Sequence, residues 1–251
     1  LVLAPNFAQT KQAYTYHTYN ENGTIKNRII LIEKTNDGWR EVRQILGDIP
    51  GGAIHNGGRL AIGPDHQLYS TTGDTGKDEL AQNKTSLAGK ILRITLNGDI
   101  PSDNPFPNSP VYSYGHRNVQ GIAWSKDGSM YASEHGPSPM GGHDEINKIE
   151  PGKNYGWPVI IGDQKKEGME TPLYQTGNET WAPSGIKVNE QNEILITCLR
   201  GEKLVKYSIS DGSVQTVLNN VGRIRDVYLM NNGLYVITSN GQNDKLIKIS
   251  N

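Results

Sequence analysis

The sequence of 251 residues contains very little cysteine, no long apolar run and no block of charges of one sign. Its single cysteine, Cys198, excludes an internal disulfide bond and any metal site built from several cysteines. No run of about 18 apolar residues is present, so a membrane-spanning helix is not expected. Leu1 is not followed by the basic and apolar regions of a signal peptide, and we expect any cleaved leader to precede this sequence.

The charge is balanced, with 25 Lys and Arg residues against 26 Asp and Glu residues and a net charge of -1. No basic stretch is typical of a surface that follows nucleic-acid phosphates, so nucleic acid is not an expected partner. Hydrophobic residues make up 35% of the chain, and together with 29 glycines this is ordinary for a folded protein. The length allows one large all-β domain or two smaller domains.

Helical periodicity over a useful length is also missing, and a repeat of strand, polar turn and strand is found instead. The second strand of each copy is marked by one residue: Tyr14, Tyr69, Tyr131, Leu195 and Tyr235. Further short strands are predicted between the copies, at residues 28–34, 90–96, 146–150 and 203–209. Short strands that recur at roughly 40 to 60 residues are typical of the four-stranded blades of a β-propeller. We therefore predict a single all-β propeller domain over residues 1–251, with about five blades present.

The clearest candidate for catalysis is His55, which lies between two glycine pairs in the sequence GGAIHNGG. Glycine on both sides allows the backbone to approach a ligand closely. The strand, turn and second strand that follow should return Asp74 to the side of His55. This arrangement would provide a general base with an orienting carboxylate, although a lone histidine is more often structural.

Residues able to bind a ligand precede three other copies of the repeat. Arg117 and Asn118 come before the third copy, and Arg223 and Arg225 come before the last. Residues two apart on a strand point to the same side, and a guanidinium matches a carboxylate through two parallel hydrogen bonds. Three such arginines predict a small ligand with several acid groups, whereas each alone is more often a surface group. Trp181 precedes the fourth copy and is either a core residue or a face for a planar ligand.

An irregular segment after the third copy offers oxygen ligands for a hard cation. Gly136 and Pro137 present backbone carbonyls in a constrained turn. Two acids and a tyrosine follow: Asp144, Glu145 and Tyr155. Calcium takes carboxylate and backbone oxygens from loops of this kind, and acids that are simply solvated are the alternative.

Taken together, the motifs of this sequence resemble those of a known family. HNGGRLAIGPD, TTGD, YGHRNVQGIAW, SEHGP, HDEIN, GKNYGWP, WAPSG and GRIRDV occur in one order and cover nearly the whole chain from Asn6. The same motifs in the same order are similar to those of the soluble quinoprotein glucose dehydrogenases and the aldose sugar dehydrogenases that depend on pyrroloquinoline quinone (PQQ). These proteins together form the glucose/sorbosone dehydrogenase family.

The resemblance implies a six-bladed β-propeller that binds PQQ and calcium. His55 matches the family's general base, and Asp74 matches the carboxylate that orients it. The implied reaction is oxidation of the C1 hydroxyl of an aldose to a lactone by hydride transfer to PQQ, which an electron acceptor then reoxidises. We expect a periplasmic or secreted protein, a monomer or homodimer, without a membrane span.

The remaining site residues follow from the same resemblance. The residues that match cofactor contacts are Arg117, Asn118, Trp181, Arg200, Arg223 and Arg225, where Arg200 stands in the place of a family lysine. Gly136 and Pro137 would offer carbonyl oxygens to the calcium on the cofactor. Glu145 and Tyr155 match a second, structural calcium site.

Two departures from the family pattern keep other functions open. Ile54 stands where the glucose dehydrogenases have an aspartate, so strict preference for glucose is not expected. The family's first blade, with a glutamine that contacts PQQ, has no counterpart in this sequence. A redox-inactive binding propeller and a calcium-dependent lactonase are therefore the alternatives, although a lactonase has little need of three arginines.

Overall fold

The computed structural model describes residues 1–137, 142–230 and 233–249. In this part of the chain 19 strands, one short α-helix and one 3-10 helix are found. The strands form five antiparallel sheets, four of four strands and one of three. Each sheet is a meander of consecutive strands, as in a propeller blade, and the prediction of an all-β propeller with five blades is confirmed. The described residues include no helix with the length and hydrophobicity needed to cross a membrane.

The first of two compact units comprises Leu1–Asn118 and Pro151–Pro158. Its first sheet contains β1 (Val2–Leu3), β2 (Gln12–Glu21), β3 (Thr24–Thr35) and β4 (Gly38–Pro50). Its second sheet contains β5 (Leu60–Ile62), β6 (Leu68–Thr71), β7 (Lys90–Ile94) and β8 (Val111–Tyr114). Helix α1 covers Phe7–Thr10, and the 3-10 helix covers Asp78–Ala81. The stretch Asp78–Gly89 thus combines one helical turn with a loop.

The second unit comprises Val119–Glu150 and Val159–Asn251. Its first sheet contains β9 (Val119–Trp124), β10 (Met130–Glu134), β11 (Glu145–Ile149) and β12 (Tyr174–Gln175). The next contains β13 (Pro183–Val188), β14 (Glu193–Cys198), β15 (Lys203–Ser208) and β16 (Val214–Asn219). The last contains β17 (Ile224–Met230), β18 (Gly233–Thr238) and β19 (Leu246–Ile249). Residues 138–141 and 231–232, which fall within predicted segments, lie outside the described residues.

The repeat read from the sequence matches these sheets strand by strand. The five marker residues lie in β2, β6, β10, β14 and β18, which are the second strands of the five sheets. The four additional segments fall in β3, β7, β11 and β15, the third strands. Some of these inner strands, such as β6 and β14, are buried along nearly their whole length, whereas β2 and β18 contain partly exposed residues.

Each unit has its own hydrophobic core. In the first unit the core gathers apolar residues of both sheets, including the fully buried Ile29, Ile49, Leu68 and Leu92. In the second unit one cluster forms around Trp181 and Ile196, and another around Leu204 and Ile224. The cores thus fix the strands from whose ends the candidate site residues extend.

Candidate functional site

The structure brings His55 and Asp74 together in the first unit. Nδ1 of His55 lies 2.7 Å from Oδ1 of Asp74. The Asp74 side chain is 0% exposed, whereas 16% of the His55 side chain is exposed. The strand that precedes Asp74 ends at Thr71, three residues earlier than expected, and Gly73 instead forms an isolated bridge with Asn118. The predicted pairing therefore forms by way of a short extension beyond β6.

Hydrogen bonds keep the Asp74 carboxyl ionised although it is buried. Burial raises the pKa of Asp74, but hydrogen bonds from His55, the Gly76 N–H and Trp157 lower it, and the net pKa lies below the ordinary value. Oδ1 accepts from Gly76 at 2.8 Å as well as from His55, and Oδ2 accepts from Nε1 of Trp157 at 2.9 Å. An ionised Asp74 orients the ring of His55 by accepting a hydrogen bond from Nδ1–H.

A network of amides holds the loop that carries His55. The side chain of Asn56 accepts from the Gly52 N–H at 3.0 Å and donates to the Gly52 carbonyl at 2.8 Å. Asn27 donates to the same Asn56 side chain at 3.0 Å, and Tyr16 donates its hydroxyl to the Asn56 carbonyl at 2.8 Å. The loop is thus tied to β2 and β3 on one side of His55.

Close backbone contacts explain two of the glycines near His55. A Cβ on Gly73 would overlap the carbonyl oxygen of His55. A Cβ on Gly57, whose φ is +65°, would lie 2.7 Å from the carbonyl oxygen of Thr71. His55 itself has a φ of 53°, in the left-handed region that non-glycine residues adopt rarely and often at functional sites. Small residues are therefore required where the loop crosses the end of β6.

Arg117 and Asn118 lie in the same unit as His55 and are both buried. The backbone carbonyl of Arg117 accepts from the Asp74 N–H at 2.8 Å. The side-chain oxygen of Asn118 accepts from the Gly57 N–H at 3.2 Å. Asn118 therefore supports the loop that carries His55, a role that the sequence did not indicate.

Trp157 is the residue that the sequence analysis missed. It lies in the segment GKNYGWP, from which only Tyr155 was selected. Its indole Nε1 donates to Asp74, and the guanidinium carbon of Arg117 lies 5.3 Å from the centroid of the same ring. The contact joins residues 83 positions apart, so no local pattern predicts it.

Asp78 is a further acid near this group. Burial and the neighbouring Asp74 raise the pKa of Asp78, while the charges of Arg117 and His55 lower it, and the net shift is upward. Asp78 is exposed and lies on the 3-10 helix that follows Asp74. Trp157, Arg117 and Asp78 thus surround the His55–Asp74 couple in the first unit.

Tyr155 also belongs to the first unit. Its ring stacks on that of His116 with centroids 4.7 Å apart, and its N–H donates to the Tyr114 carbonyl at 2.8 Å. Glu145, its predicted companion in a calcium site, belongs to the second unit. The shared role of Tyr155 and Glu145 therefore stays a prediction.

In the second unit Asp144 has a different role from that of a solvated acid or a cation ligand. Its carboxylate accepts from three backbone N–H groups, those of Gly136 at 2.9 Å, Trp181 at 2.7 Å and Ala182 at 2.8 Å. It is 3% exposed. The Asp144 side chain thus fixes the backbone of the turn at Gly136. The backbone carbonyls of Gly136 and Pro137, which are proposed to bind calcium, belong to this turn.

Glu145 faces Glu134 directly across the β10 and β11 pair. Desolvation and then the charge of Glu134 raise the pKa of Glu145 to about 8. Two acids in this position repel each other when ionised. Among the described residues no three His, Cys, Asp or Glu side chains converge in the manner of a metal site.

The other predicted cofactor residues also lie in the second unit. Trp181 is 2% exposed, packs in the core and stacks on Tyr174 with centroids 5.3 Å apart, which favours the interpretation as a core residue. Arg200 is exposed and follows β14. Arg223 and Arg225 are half-buried on either side of the fully buried Ile224.

Comparisons with known proteins show a similarity that extends along the chain. The profile of the family described as Glucose / Sorbosone dehydrogenase matches residues 1–248. The chain is 33% identical over 218 residues to quinoprotein glucose dehydrogenase B of Acinetobacter calcoaceticus, covering 73% of this chain and 45% of that protein. It is 31% identical over 288 residues to aldose sugar dehydrogenase YliI of Escherichia coli, covering 100% of this chain and 76% of that protein.

A solved structure gives the same result. The PQQ-bound form of an aldose sugar dehydrogenase from Streptomyces coelicolor superposes with a TM-score of 0.88 and 36% sequence identity. The match covers 97% of this chain and 76% of that one. The similarity in sequence and fold thus extends over nearly all of the chain.

Proposed function

The chain belongs to the glucose/sorbosone dehydrogenase family, as its motifs predicted, and we propose from this premise that it oxidises the C1 hydroxyl of aldose sugars to lactones with PQQ and calcium. The observation that carries the proposal is the His55 ring, part of which is exposed while the buried Asp74 holds its Nδ1. The relatives named above include a quinoprotein glucose dehydrogenase and an aldose sugar dehydrogenase, and they support the same substrate class.

His55 acts as the general base in this proposal. Because the ionised Asp74 accepts a hydrogen bond from Nδ1–H, Nε2 is the nitrogen that takes the proton from the C1 hydroxyl of the sugar. Asp74 also stabilises the positive charge that then forms on the ring. PQQ, when bound together with calcium, would supply the acceptor for the hydride from C1.

The chain's own residues fit an acidic quinone and a hard cation. Arg117, Arg223 and Arg225 carry permanent charges that suit carboxylates, with Asn118 and Arg200 as further polar contacts. The carbonyls of Gly136 and Pro137 are the oxygen ligands that calcium prefers, and the Asp144 side chain fixes the turn that presents them. Trp181 is buried in the core, so in this proposal it packs beneath the site and does not offer an exposed face to the cofactor.

A second calcium near Glu145 is supported by the charge of the site. Glu134 and Glu145 oppose each other across two strands, and desolvation penalises the ionisation of Glu145. A divalent cation on Glu145 would remove this penalty.

We also propose that the protein follows the six-bladed architecture of the family. The five sheets of this chain correspond to five of those blades. We infer a periplasmic or secreted location from the same family. The partners are an aldose and an electron acceptor, and the protein is a monomer or a homodimer.

One titration tests the proposal. PQQ and Ca²⁺ are added to the purified protein, and we expect a bound quinone spectrum that an aldose bleaches as lactone accumulates. Absence of bound PQQ would instead favour a binding propeller, and lactone hydrolysis without PQQ would favour a lactonase. Either of these two results would reject the dehydrogenase.

A further inference from the structure

We propose that Trp157 is a positioning residue that holds the base and the nearest cation of the site through one indole ring; this inference rests on the proposed function. The edge of the ring donates to Oδ2 of Asp74 at 2.9 Å. The face of the ring lies 5.3 Å from the guanidinium carbon of Arg117. No other side chain in the described residues has both of these contacts.

The backbone of Trp157 is fixed on both sides, so the indole is held at the site. Its N–H donates to the carbonyl of Gly115 at 2.9 Å. Its carbonyl accepts from Nε2 of Gln82 at 2.7 Å. Gln82 in turn exchanges two hydrogen bonds with the side chain of Asn154, at 2.9 and 3.0 Å. A residue held in this way can position other groups without moving itself.

The indole N–H determines which oxygen of Asp74 accepts the hydrogen bond from His55. The carboxylate is fully buried and has two oxygens to satisfy. Because Trp157 donates to Oδ2, Oδ1 is directed at Nδ1 of His55 and the N–H of Gly76. Without the indole donor the carboxylate would be free to rotate, and its remaining charge would hold a proton on the His55–Asp74 couple more strongly.

The ring face has a separate role, which is to support Arg117. A guanidinium over an indole is attracted by the negative face of the ring, and this attraction fixes the orientation of its plane. Substitution by phenylalanine keeps a ring but removes the N–H donor, whereas substitution by leucine removes both. The two variants therefore separate the edge of the indole from its face.

In Trp157→Phe we expect kcat for aldose oxidation to fall about tenfold, because a hydrogen bond to a charged group is lost. The affinity for PQQ should stay within about twofold. The acidic limb of the kcat/KM profile should move to higher pH, because the couple retains its proton more strongly. Asp78 and Arg117 are the other charged groups near the couple, and both are unchanged in this variant.

In Trp157→Leu both kcat and PQQ affinity should fall, because Arg117 also loses its support. Trp39→Phe is the matched control, since Trp39 lies in β4 of the same unit and stacks on Phe7. This control should behave like the wild-type protein.

A measurement without cofactor separates this inference from the proposed function. In the apo protein, the ring signals of His55 are assigned by NMR with a His55→Gln variant. We expect these signals to move in Trp157→Phe, where the Asp74 carboxylate that holds the ring loses its indole donor, and to match the wild-type protein in Trp39→Phe. A wild-type protein that neither binds PQQ nor oxidises sugar would reject the proposed function, while the NMR comparison would still decide the role of Trp157.

Two results would overturn the inference. One is a Trp157→Phe variant with wild-type kcat and unchanged His55 signals. The other is an equal loss of kcat and PQQ affinity in the Phe and Leu variants with unchanged His55 signals, because that pattern indicates packing alone. Circular dichroism on each variant confirms that the strands are intact.

Discussion

At the scale of single residues, the function depends on how His55 is held. The ring is fixed through one nitrogen by a buried carboxylate, and its backbone has a left-handed conformation. A buried hydrogen bond to a charged group restricts the ring more than an exposed one would. His55 can therefore be removed without a direct effect on the groups proposed to bind PQQ.

We expect His55→Ala to bind PQQ as the wild-type protein does and to lose sugar oxidation by roughly 10² to 10⁴ in kcat, which is the usual contribution of a general base. Stopped-flow reduction of the bound quinone by an aldose measures this directly. His17→Ala is a control in the same unit, since His17 lies in β2 and contacts Arg28. Turnover equal to that of the wild-type protein would remove His55 from the mechanism.

The sequence could predict His55 and Asp74 as a pair because they are joined by a short strand, turn and strand. The supporting residues Asn27, Asn118 and Trp157 could not be predicted in the same way. Their contacts with the loop or with Asp74 span 29, 61 and 83 residues, respectively. No periodic pattern records contacts of this range, and they depend on which loops the sheets bring together.

At the scale of secondary-structure elements, the strands were predictable and the loops were not. Alternation and polar turns are local signals, so the second strands of all five sheets and the third strands of four of them were found. The segment Pro151–Pro158 is different, because it follows β11 in the chain yet belongs to the first unit. Its placement depends on backbone hydrogen bonds to Tyr112, Tyr114 and Gly115, which only the folded structure reveals.

The 3-10 helix Asp78–Ala81 depends on one buried lysine. Lys90 is 0% exposed, and its Nζ donates to the carbonyls of Leu80 at 2.8 Å, Ala81 at 2.9 Å and Ala88 at 2.6 Å. Burial lowers the pKa of Lys90 to about 7. The Lys90 ammonium therefore donates to carbonyls at the C-terminal end of the 3-10 helix. This helix follows Asp74 in the chain.

We expect Lys90→Met to lower the free energy of unfolding by about 2 kcal/mol at pH 7, because three buried carbonyls lose their donor. The unfolded chain keeps this lysine protonated to about pH 10.4, whereas the folded chain releases the proton from about pH 7. Between these values the unfolded state binds more protons, so wild-type stability should rise with pH relative to the variant, by at most about 1.4 kcal/mol per pH unit.

Urea unfolding followed by circular dichroism at pH 7, 8 and 9 measures this difference. Lys126→Met, at an exposed turn lysine, is the control and should differ little from the wild-type protein. A constant difference between the wild-type protein and Lys90→Met at all three pH values would contradict the lowered pKa.

At the scale of the whole molecule, the five sheets are similar, but the candidate site residues next to them differ. His55 and Asp74 lie around the end of one sheet, and Arg117 and Asn118 lie before the next. Arg223 lies before the last sheet, and Arg225 lies in its first strand, β17. A repeat places equivalent loops before equivalent strands. His55, Arg117 and Arg223 each precede the first strand of a sheet, namely β5, β9 and β17.

In the second unit, Arg223 is proposed to bind a carboxylate of PQQ. We expect Arg223→Ala to weaken PQQ binding about tenfold or more in the presence of Ca²⁺, because a charge-assisted pair with a carboxylate is lost. At saturating PQQ, kcat should return to near the wild-type value, since His55 and Asp74 are intact. Equilibrium dialysis gives the affinity, and the rate of quinone reduction gives kcat.

Arg43→Ala is the matched control, because Arg43 lies in β4 and donates to Asn97. This variant should bind PQQ like the wild-type protein. If Arg223→Ala also binds PQQ with wild-type affinity, Arg223 has no part in holding the quinone. If instead it loses kcat even when saturated with PQQ, Arg223 acts in the reaction itself, and the division between groups that bind and a base that reacts would be wrong.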